Sequence, residues 1–144
     1  VIFKVQRKGE AEKIEPFLEH GNSRLLYHGS SLVNYLGILS QGLRIAPPEA
    51  PTTGYMLGKG VYFADMFSKS HGYASQTFGS GKDSSLLILC ETALGNIKRM
   101  RVPEFVEDLP EPHHSVQGLG REGPDYDFSI KLPNGIEVPC GPVT

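Results

Sequence analysis

One histidine and three helix-spaced side chains are the residues of this sequence best suited to chemistry. His28 ends an apolar segment and is followed by Gly29, so an imidazole stands beside a backbone position without a side chain. Farther along, Lys69 and Ser70 precede Tyr73 by four and three residues, spacings that put side chains on one face of a helix. Such a face presents a cation, a hydroxyl and an aromatic ring together.

Each of these residues also has an ordinary structural explanation. A lone histidine at a strand end more often satisfies a hydrogen bond in the core than contacts a ligand. An isolated lysine on a helix is usually solvated. A tyrosine such as Tyr62, within the apolar residues 61–64, most often fills the core. Spacing alone therefore leaves the structural and the functional interpretation open.

The segments that hold these side chains show strand and helix patterns. Residues 24–28 are apolar in the middle and predict a strand that ends at His28. Residues 32–39 have apolar side chains at the i, i+3, i+4 and i+7 positions of a helix, with serines ahead and Gly42 behind. Residues 61–64 predict a further strand, which leads toward the tyrosine-bearing helix.

The remaining segments give the following expectations. Asp65 is the predicted N-cap of the helix through residue 75, and residues 86–91 predict a strand covered on both faces. Asn134 and Gly135 predict a hairpin between two short strands, because this pair supplies positive φ angles. Other predictions are a half-buried strand at 1–5, a short helix or loop at 11–20 around Pro16, loops at 45–60 and 76–85, no regular element at 103–123, and hairpin strands at 128–132 and 136–138.

Composition indicates one domain with no polyanion-binding surface. The 144 residues carry a net charge of -2, with acidic and basic side chains interspersed, so we expect no direct DNA binding. The basic cluster Lys98, Arg99 and Arg101 is interpreted as a solvated edge. The longest apolar run, residues 86–90, is too short to cross a bilayer, so no membrane association is expected.

No metal site or disulfide framework is predicted. Cys90 and Cys140 lie far apart and lack the spacing of zinc ligands, so both are expected to be reduced, as in an intracellular compartment. His113 and His114 have no third ligand at a suitable spacing. The glycines between Gly54 and residue 60 do not form the phosphate-binding signature of a Rossmann fold.

Three motifs in fixed order resemble the catalytic domain of the poly(ADP-ribose) polymerases, in the branch that responds to DNA damage. They are Tyr27-His28-Gly29-Ser30, the proline-rich run 44–51 with the following 54–64, and the helical segment 63–73. The resemblance extends over nearly all of residues 1–144. It implies an α+β fold of the ADP-ribosyltransferase type, with a mixed β core and short helices.

The resemblance also implies an activity. Such an enzyme is nuclear, uses NAD as the ADP-ribose donor without a metal, and binds nicotinamide-mimic inhibitors. It transfers ADP-ribose to protein side chains or to a growing poly(ADP-ribose) chain, and family members in this branch act in DNA repair. The alternatives are a non-catalytic module that binds NAD or ADP-ribose, a mono-ADP-ribosyltransferase, and an interaction scaffold.

The resemblance assigns a role to individual residues. His28 contacts the adenosine ribose, the backbone of Gly29 binds the nicotinamide carboxamide, and Ser70 supplements that contact. Tyr73 and Tyr62 enclose the nicotinamide ring, and Lys69 lies beside the catalytic carboxylate. The catalytic set is thus His28, Tyr62 and Lys69, while Ser30, Asn34 and Arg44 line the adenosine end. Met56, in the donor-site loop 55–59, corresponds to a residue on the acceptor side, although a methionine there needs no function.

Cleavage of the nicotinamide–ribose bond develops positive charge on the ribose, which a nearby carboxylate stabilises. Neither Glu91 nor Glu137 stands where the family has its catalytic glutamate. We therefore expect that glutamate to lie beyond Thr144 and the chain alone to be inactive as a transferase. The helical regulatory domain of the family is likewise expected outside these residues.

Overall fold

A mixed four-stranded sheet is the framework of the computed structural model, which describes residues 1–45, 55–74 and 85–144. The strands of the described residues are β1 (Ser23–Gly29), β2 (Leu87–Ala93), β3 (Ile97–Met100), β4 (Ser115–Gly118), β5 (Ile130–Lys131) and β6 (Glu137–Val138). The sheet has the order β2-β1-β6-β5, in which β1 pairs antiparallel with β2 and parallel with β6. With its helices, this mixed sheet confirms the expected α+β class.

Three helices accompany the strands in the described residues: α1 (Glu10–Leu18), α2 (Tyr35–Gln41) and α3 (Phe67–Ala74). α1 is the short helix expected near Pro16, which lies inside it. α2 follows a 3-10 turn at Leu32–Asn34, and Gly42 ends it with a φ of 89°. The helix predicted from residue 32 is therefore confirmed, with its first turn in the tighter 3-10 form.

The interior lies where α3 packs on β1. Leu26 in β1 and Ala74 in α3 are buried, as is Ile136 immediately before β6. Ser70 is a buried polar residue on the inner face of α3. This packing brings the middle of α3 to the end of β1, which places their side chains around a common surface.

The hairpin predicted at residues 134–135 is confirmed, although only one of the two residues has a positive φ. β5 and β6 pair antiparallel, with Ile130 opposite Val138. Gly135 has a φ of 84°, and its N–H donates to the carbonyl of Leu132 at 2.9 Å. A tight turn followed by one left-handed residue joins the strands, so Asn134 does not need a positive φ.

Several predicted strands are wrong or shorter than predicted. The hairpin strands predicted at 128–132 and 136–138 span only Ile130–Lys131 and Glu137–Val138, and Phe128 belongs to a 3-10 turn. Residues 1–5 pair with no described strand, and Phe3 is 79% exposed, because alternation alone supplies no neighbour for backbone hydrogen bonds. Residues 61–64 form only an isolated bridge, between Ala64 and Tyr27. β2 lies at the sheet edge within the described residues, with Leu89 47% exposed, so its predicted burial on both faces is also wrong.

A second sheet corrects the interpretation of residues 103–123 as irregular. β3 and β4 pair in parallel, with Ile97 opposite Ser115, so Lys98 and Arg99 are strand residues. Four-residue strands with polar side chains carry too little periodicity for sequence recognition. Within the predicted loops 45–60 and 76–85, residues 46–54 and 76–84 lie outside the described residues, as does the predicted last helical residue Ser75. None of the described helices combines the length and apolar character that crossing a bilayer requires.

Candidate functional site

A cleft of about 780 Å³ lies between the end of β1, helix α2 and helix α3. The segment 55–64 forms a further wall. All of the site residues that the sequence predicts line this one cleft: His28, Gly29, Ser30, Asn34, Arg44, Tyr62, Lys69, Ser70 and Tyr73. The fold thus brings together residues that lie up to 45 positions apart in the chain.

The packing of α3 on β1 requires a residue without a side chain at position 29. A methyl group at this position would overlap the backbone carbonyl oxygen of Ser70 and press on the side chain of Leu87. The hydroxyl of Ser70 donates to the carbonyl of Tyr27 at 3.1 Å, and Ser70 is only 3% exposed. The glycine, the buried serine and the preceding tyrosine therefore form one close contact between strand and helix.

Backbone alternation along β1 turns the polar groups of Gly29 toward the cleft. Tyr27 exchanges two backbone hydrogen bonds with Ala64, at 2.8 and 2.9 Å, on the edge of β1 opposite β2. Since every second residue of a strand directs its N–H and C=O to the same edge, those of Gly29 also point away from β2. The bridge at Ala64 is isolated, and Gly29 lines the cleft. The N–H donor and the C=O acceptor of Gly29 therefore both face the cleft.

The ring of His28 is held in one orientation by the segment 61–64. Its Nδ1 lies 2.8 Å from the carbonyl oxygen of Tyr62, and the ring of Phe63 meets it edge-on with centroids 5.9 Å apart. A carbonyl only accepts, so Nδ1 carries the proton in this contact. In the neutral imidazole, Nε2 is then an acceptor for a hydroxyl in the cleft.

Tyr62 lines the cleft with its ring while its hydroxyl holds a turn of the backbone. The hydroxyl donates to the carbonyl of Gly58 at 2.6 Å and accepts from the N–H of Leu57 at 3.0 Å. The ring of Tyr55 lies 6.2 Å away, tilted by 49°. Tyr62 therefore fixes the 55–60 turn as well as forming one side of the cleft.

The exposed face of α3 supplies the ring and the cation that the spacing predicted. Tyr73 is 56% exposed, and Lys69 is exposed beside it on the same helix. α3 begins at Phe67, two residues later than predicted, and Asp65 does not cap it. The carboxylate of Asp65 accepts instead from the hydroxyl of Tyr126 at 2.7 Å, so its side chain is committed elsewhere.

Polar side chains before and after α2 form the other end of the cleft. The amide of Asn34 donates to the hydroxyl of Ser30 at 2.9 Å. Arg44 donates to the side-chain oxygen of Gln41 at 2.7 Å. A guanidinium has five N–H donors, so this contact leaves Arg44 with further donors for an anion.

The charged side chains on the described part of the cleft are cationic. They are Lys69 and Arg44, and no aspartate or glutamate lines the cleft within residues 1–45, 55–74 and 85–144. Glu91 is exposed on β2, and Glu137 forms an ion pair with Arg24 at 2.7 Å. The arrangement therefore suits a ligand with negative charge and a flat polar group.

Sequence reasoning missed some residues that also line the cleft. Phe63 packs against His28, and Gln41 orients Arg44. Both stand within a turn of a predicted residue, so proximity along the chain was the available signal. Met56 in the donor-site loop is 64% exposed, and it is absent from the described lining.

The paired histidines have structural contacts. His114 stacks on His20 with ring centroids 4.0 Å apart, and its Nδ1 accepts from the N–H of Asn96 at 3.0 Å. His113 contacts the carbonyl of Pro110 at 3.0 Å. Across the described residues, no group of three or more histidine, cysteine or acidic side chains is arranged to hold a metal ion.

Comparisons with known proteins agree with the motifs. The family model described as poly(ADP-ribose) polymerase catalytic domain matches residues 1–144. Poly [ADP-ribose] polymerase 1 of Danio rerio is 51% identical over 140 residues, which cover 97% of this chain and 14% of that protein. Poly [ADP-ribose] polymerase of Drosophila melanogaster is 47% identical over 140 residues, with coverage of 97% and 14%.

A plant relative matches equally well. Poly [ADP-ribose] polymerase 2-A of Oryza sativa subsp. japonica is 51% identical over 143 residues, which cover 97% of this chain and 21% of that protein. The chain thus spans between 14% and 21% of the length of these relatives. The similarity therefore concerns one part of each relative.

Proposed function

Because the chain belongs to the poly(ADP-ribose) polymerase catalytic-domain family, we propose that its cleft binds NAD as the donor of ADP-ribose. The observation that carries this proposal is the meeting of Gly29, His28 and Tyr73 on one cleft whose charged lining residues, where described, are Arg44 and Lys69. NAD joins a flat amide-bearing ring to two hydroxylated sugars and a pyrophosphate. Each of these groups has a counterpart among the lining residues, and none of the contacts needs a metal.

The nicotinamide end is proposed to lie between Gly29 and Tyr73. The inward-facing N–H and C=O of Gly29 match the carbonyl and amino groups of a carboxamide, which offers two parallel hydrogen bonds worth about 1 kcal/mol net each. The exposed ring of Tyr73 is a surface for stacking, with Tyr62 on the opposite side. Ser70 donates to Tyr27, so its lone pairs remain to accept from the carboxamide N–H.

The ribose and adenosine end is proposed to lie along α2, between the residues that precede this helix and those that follow it. Nε2 of His28 accepts from a ribose hydroxyl, because Nδ1 is held by the carbonyl of Tyr62. Ser30 and Asn34 offer a hydroxyl and an amide next to it. Arg44 supplies positive charge for the pyrophosphate or the groups near it.

The activity that we propose for this protein is the transfer of ADP-ribose to protein side chains or to a growing poly(ADP-ribose) chain. We further propose that it acts in the nucleus in DNA repair and that nicotinamide mimics inhibit it. In this scheme the family's glutamate stabilises the charge that develops on the ribose, with Lys69 beside it. His28 and Tyr62 orient the sugar and the leaving ring.

The second candidate function is an NAD or ADP-ribose binding module without transferase activity. The observation in its favour is that the described part of the cleft has no carboxylate along its lining. For the 144-residue chain we therefore expect binding without transfer of ADP-ribose. Incorporation of labelled ADP-ribose by the chain alone would show that a carboxylate reaches the site from residues 46–54 or 75–84.

Calorimetry with benzamide, a nicotinamide mimic, tests the proposed function. The chain is expected to bind benzamide, and Tyr73→Ala is expected to weaken binding roughly threefold to tenfold through loss of stacking. Tyr73→Phe keeps the ring and is the matched control, with affinity close to that of the unchanged chain. Because Tyr73 is 56% exposed, neither variant should alter thermal stability appreciably. Equal affinities for all three proteins would remove Tyr73 from the site, and absence of benzamide binding would overturn the proposal.

A further inference from the structure

A tyrosine and an aspartate outside the cleft connect two distant parts of the chain. The hydroxyl of Tyr126 donates to Oδ2 of Asp65 at 2.7 Å, across 61 positions of sequence. Tyr126 begins the 3-10 turn Tyr126–Phe128, and Asp65 directly follows Ala64. Neither residue lines the cleft. Their contact joins a remote turn to the segment 62–66, of which residues 62–64 line the cleft.

Tyr126 is itself held by charged neighbours. The guanidinium carbon of Arg24 lies 4.6 Å from the centre of its ring, and Nε of Arg24 lies 2.7 Å from a carboxylate oxygen of Glu137. The side chain of Arg24 is 11% exposed, so solvent screens these contacts only weakly. Burial and the nearby Asp65 carboxylate raise the pKa of Tyr126, so its hydroxyl stays protonated as a donor.

The segment 62–66, which Asp65 anchors, determines the position of two parts of the cleft: the ring of His28 and the start of α3. Upstream, the carbonyl of Tyr62 holds the ring of His28, and the backbone of Ala64 pairs with β1. Downstream, the segment continues directly into α3, which begins at Phe67 and carries the exposed ring of Tyr73. A shift of Asp65 is therefore expected to change both the orientation of the His28 imidazole and the position of the first turn of α3.

We propose that Tyr126 and Asp65 are a positioning pair that holds the segment 62–66 and thereby orients His28 for the ligand. The proposal rests on the proposed binding of NAD, and it assigns a specific duty to residues outside the binding surface. The alternative is that the pair contributes only to general stability. The two differ in a local property of His28, because only the positioning role couples Tyr126 to the Nδ1–H contact with Tyr62.

Three variants in the 144-residue chain separate these roles. Tyr126→Phe removes the donor, and Asp65→Ala removes the acceptor. Asp65→Asn keeps a side-chain oxygen that can accept the hydrogen bond from the Tyr126 hydroxyl, so it should restore what Asp65→Ala loses. Ser115→Ala is the control, because it removes another part-buried hydroxyl bond, to the carbonyl of Leu94 at 2.8 Å in the region of the second sheet.

The first measurement is nitrogen-15 NMR of the His28 side chain without ligand. In the unchanged chain the Nδ1–H proton is expected to be protected from exchange by the carbonyl of Tyr62. Tyr126→Phe and Asp65→Ala should both accelerate its exchange, and Asp65→Asn should restore the protection. Protection that is unchanged in folded Tyr126→Phe or folded Asp65→Ala would overturn the positioning role. Either variant suffices if the other does not fold.

The second measurement is affinity for ADP-ribose by calorimetry, at temperatures where each variant is folded. Tyr126→Phe and Asp65→Ala are expected to lower it roughly threefold to tenfold, and Ser115→Ala to leave it unchanged. An equal loss in Ser115→Ala at matched stability would reduce the pair to general stabilisation. If the unchanged chain binds neither ADP-ribose nor benzamide, the proposed function fails, while His28 exchange still decides the positioning role.

Discussion

Gly29 serves both the packing of the fold and the proposed binding. Its missing side chain lets the carbonyl of Ser70 approach β1, and its backbone groups face the cleft. Gly29→Ala is expected to lower stability by about 1–3 kcal/mol, because the atom it would overlap belongs to backbone and cannot rotate away. Affinity for benzamide should fall with it, since α3 must move to relieve the overlap. Thermal unfolding and calorimetry measure the two effects.

Gly72→Ala in α3 is the matched control for that change. A methyl group there meets no atom within 4 Å, and the residue has no positive φ. Alanine is favoured over glycine inside a helix, so stability should rise by about 0.5–1 kcal/mol. Stability and benzamide affinity that are unchanged in Gly29→Ala would contradict the close packing of strand and helix.

Arg44 tests whether the two ends of the cleft bind different parts of one ligand. Arg44→Ala is expected to weaken ADP-ribose binding roughly tenfold, because a hydrogen bond to a charged group is lost. Benzamide carries no charge and should bind as before. Calorimetry with each compound makes the comparison, and Arg44→Lys tests whether charge alone suffices. A parallel loss for both compounds would indicate a change of fold, contrary to the exposure of Arg44.

At the residue scale, the motifs predicted residues that line the cleft, but they did not predict the contacts that hold those residues in place. His28, Ser70 and Tyr73 stand in short patterns that the sequence displays directly. Asp65 looked like a helix cap, since capping depends only on neighbouring positions. Its actual partner, Tyr126, lies 61 positions away. No local spacing rule contains that information, so the supporting contacts emerge only from the folded chain.

The hydroxyl of Tyr62 makes two hydrogen bonds to the 55–60 turn, in addition to the backbone hydrogen bonds of that turn. Tyr62→Phe removes one bond to the carbonyl of Gly58 and one from the N–H of Leu57. We expect a loss of stability of about 1–2 kcal/mol, since two hydrogen bonds vanish and the ring remains. Hydrogen exchange of the Leu57 amide should accelerate. Tyr73→Phe is the control, because the exposed hydroxyl of Tyr73 holds no turn among the described residues. Slow exchange of the Leu57 amide in both variants would contradict the assignment.

At the element scale, prediction succeeded where the local sequence contains signals for the ends of the element. β1 ends at a glycine, α2 has a helical apolar pattern and Gly42 behind it, and the β5–β6 hairpin has a turn sequence. It failed where pairing decides the structure. The alternating residues 1–5 have no partner among the described strands, and β4 is a strand only because β3 lies beside it.

At the scale of the whole molecule, the resemblance to a known family predicted more of the fold than hydrophobic periodicity did. The mixed sheet joins β1 to strands more than a hundred residues later, a pairing that alternation of side chains cannot reveal. The class of fold was predictable because the motifs occur in family order. Exposed apolar residues show the limit of pattern reasoning: Leu36 belongs to the predicted apolar face of α2, yet it is 82% exposed among the described residues.

Three partly buried groups that lose a proton at alkaline pH contribute to the pH dependence of stability: the thiol of Cys90 and the hydroxyls of Tyr35 and Tyr126. Burial raises the pKa of Cys90 to about 11, and burial also raises the pKa values of Tyr35 and Tyr126. Each group is neutral when protonated, so folding opposes its ionisation. The unfolded chain releases these protons at lower pH than the folded chain. Their contribution to stability is therefore complete below about pH 9 and declines as the pH rises toward 11.

Urea unfolding across this range tests that expectation. Stability should fall by at most about 1.4 kcal/mol per pH unit for each group that ionises only on unfolding. Cys90→Ala should flatten the decline between pH 9 and 11, because it removes the group with the lowest ordinary pKa of the three. Cys140→Ala is the matched control, since that exposed cysteine loses little hydration on folding. A slope that is the same in both variants would show that the Cys90 thiol remains hydrated in the folded chain, contrary to its position on β2.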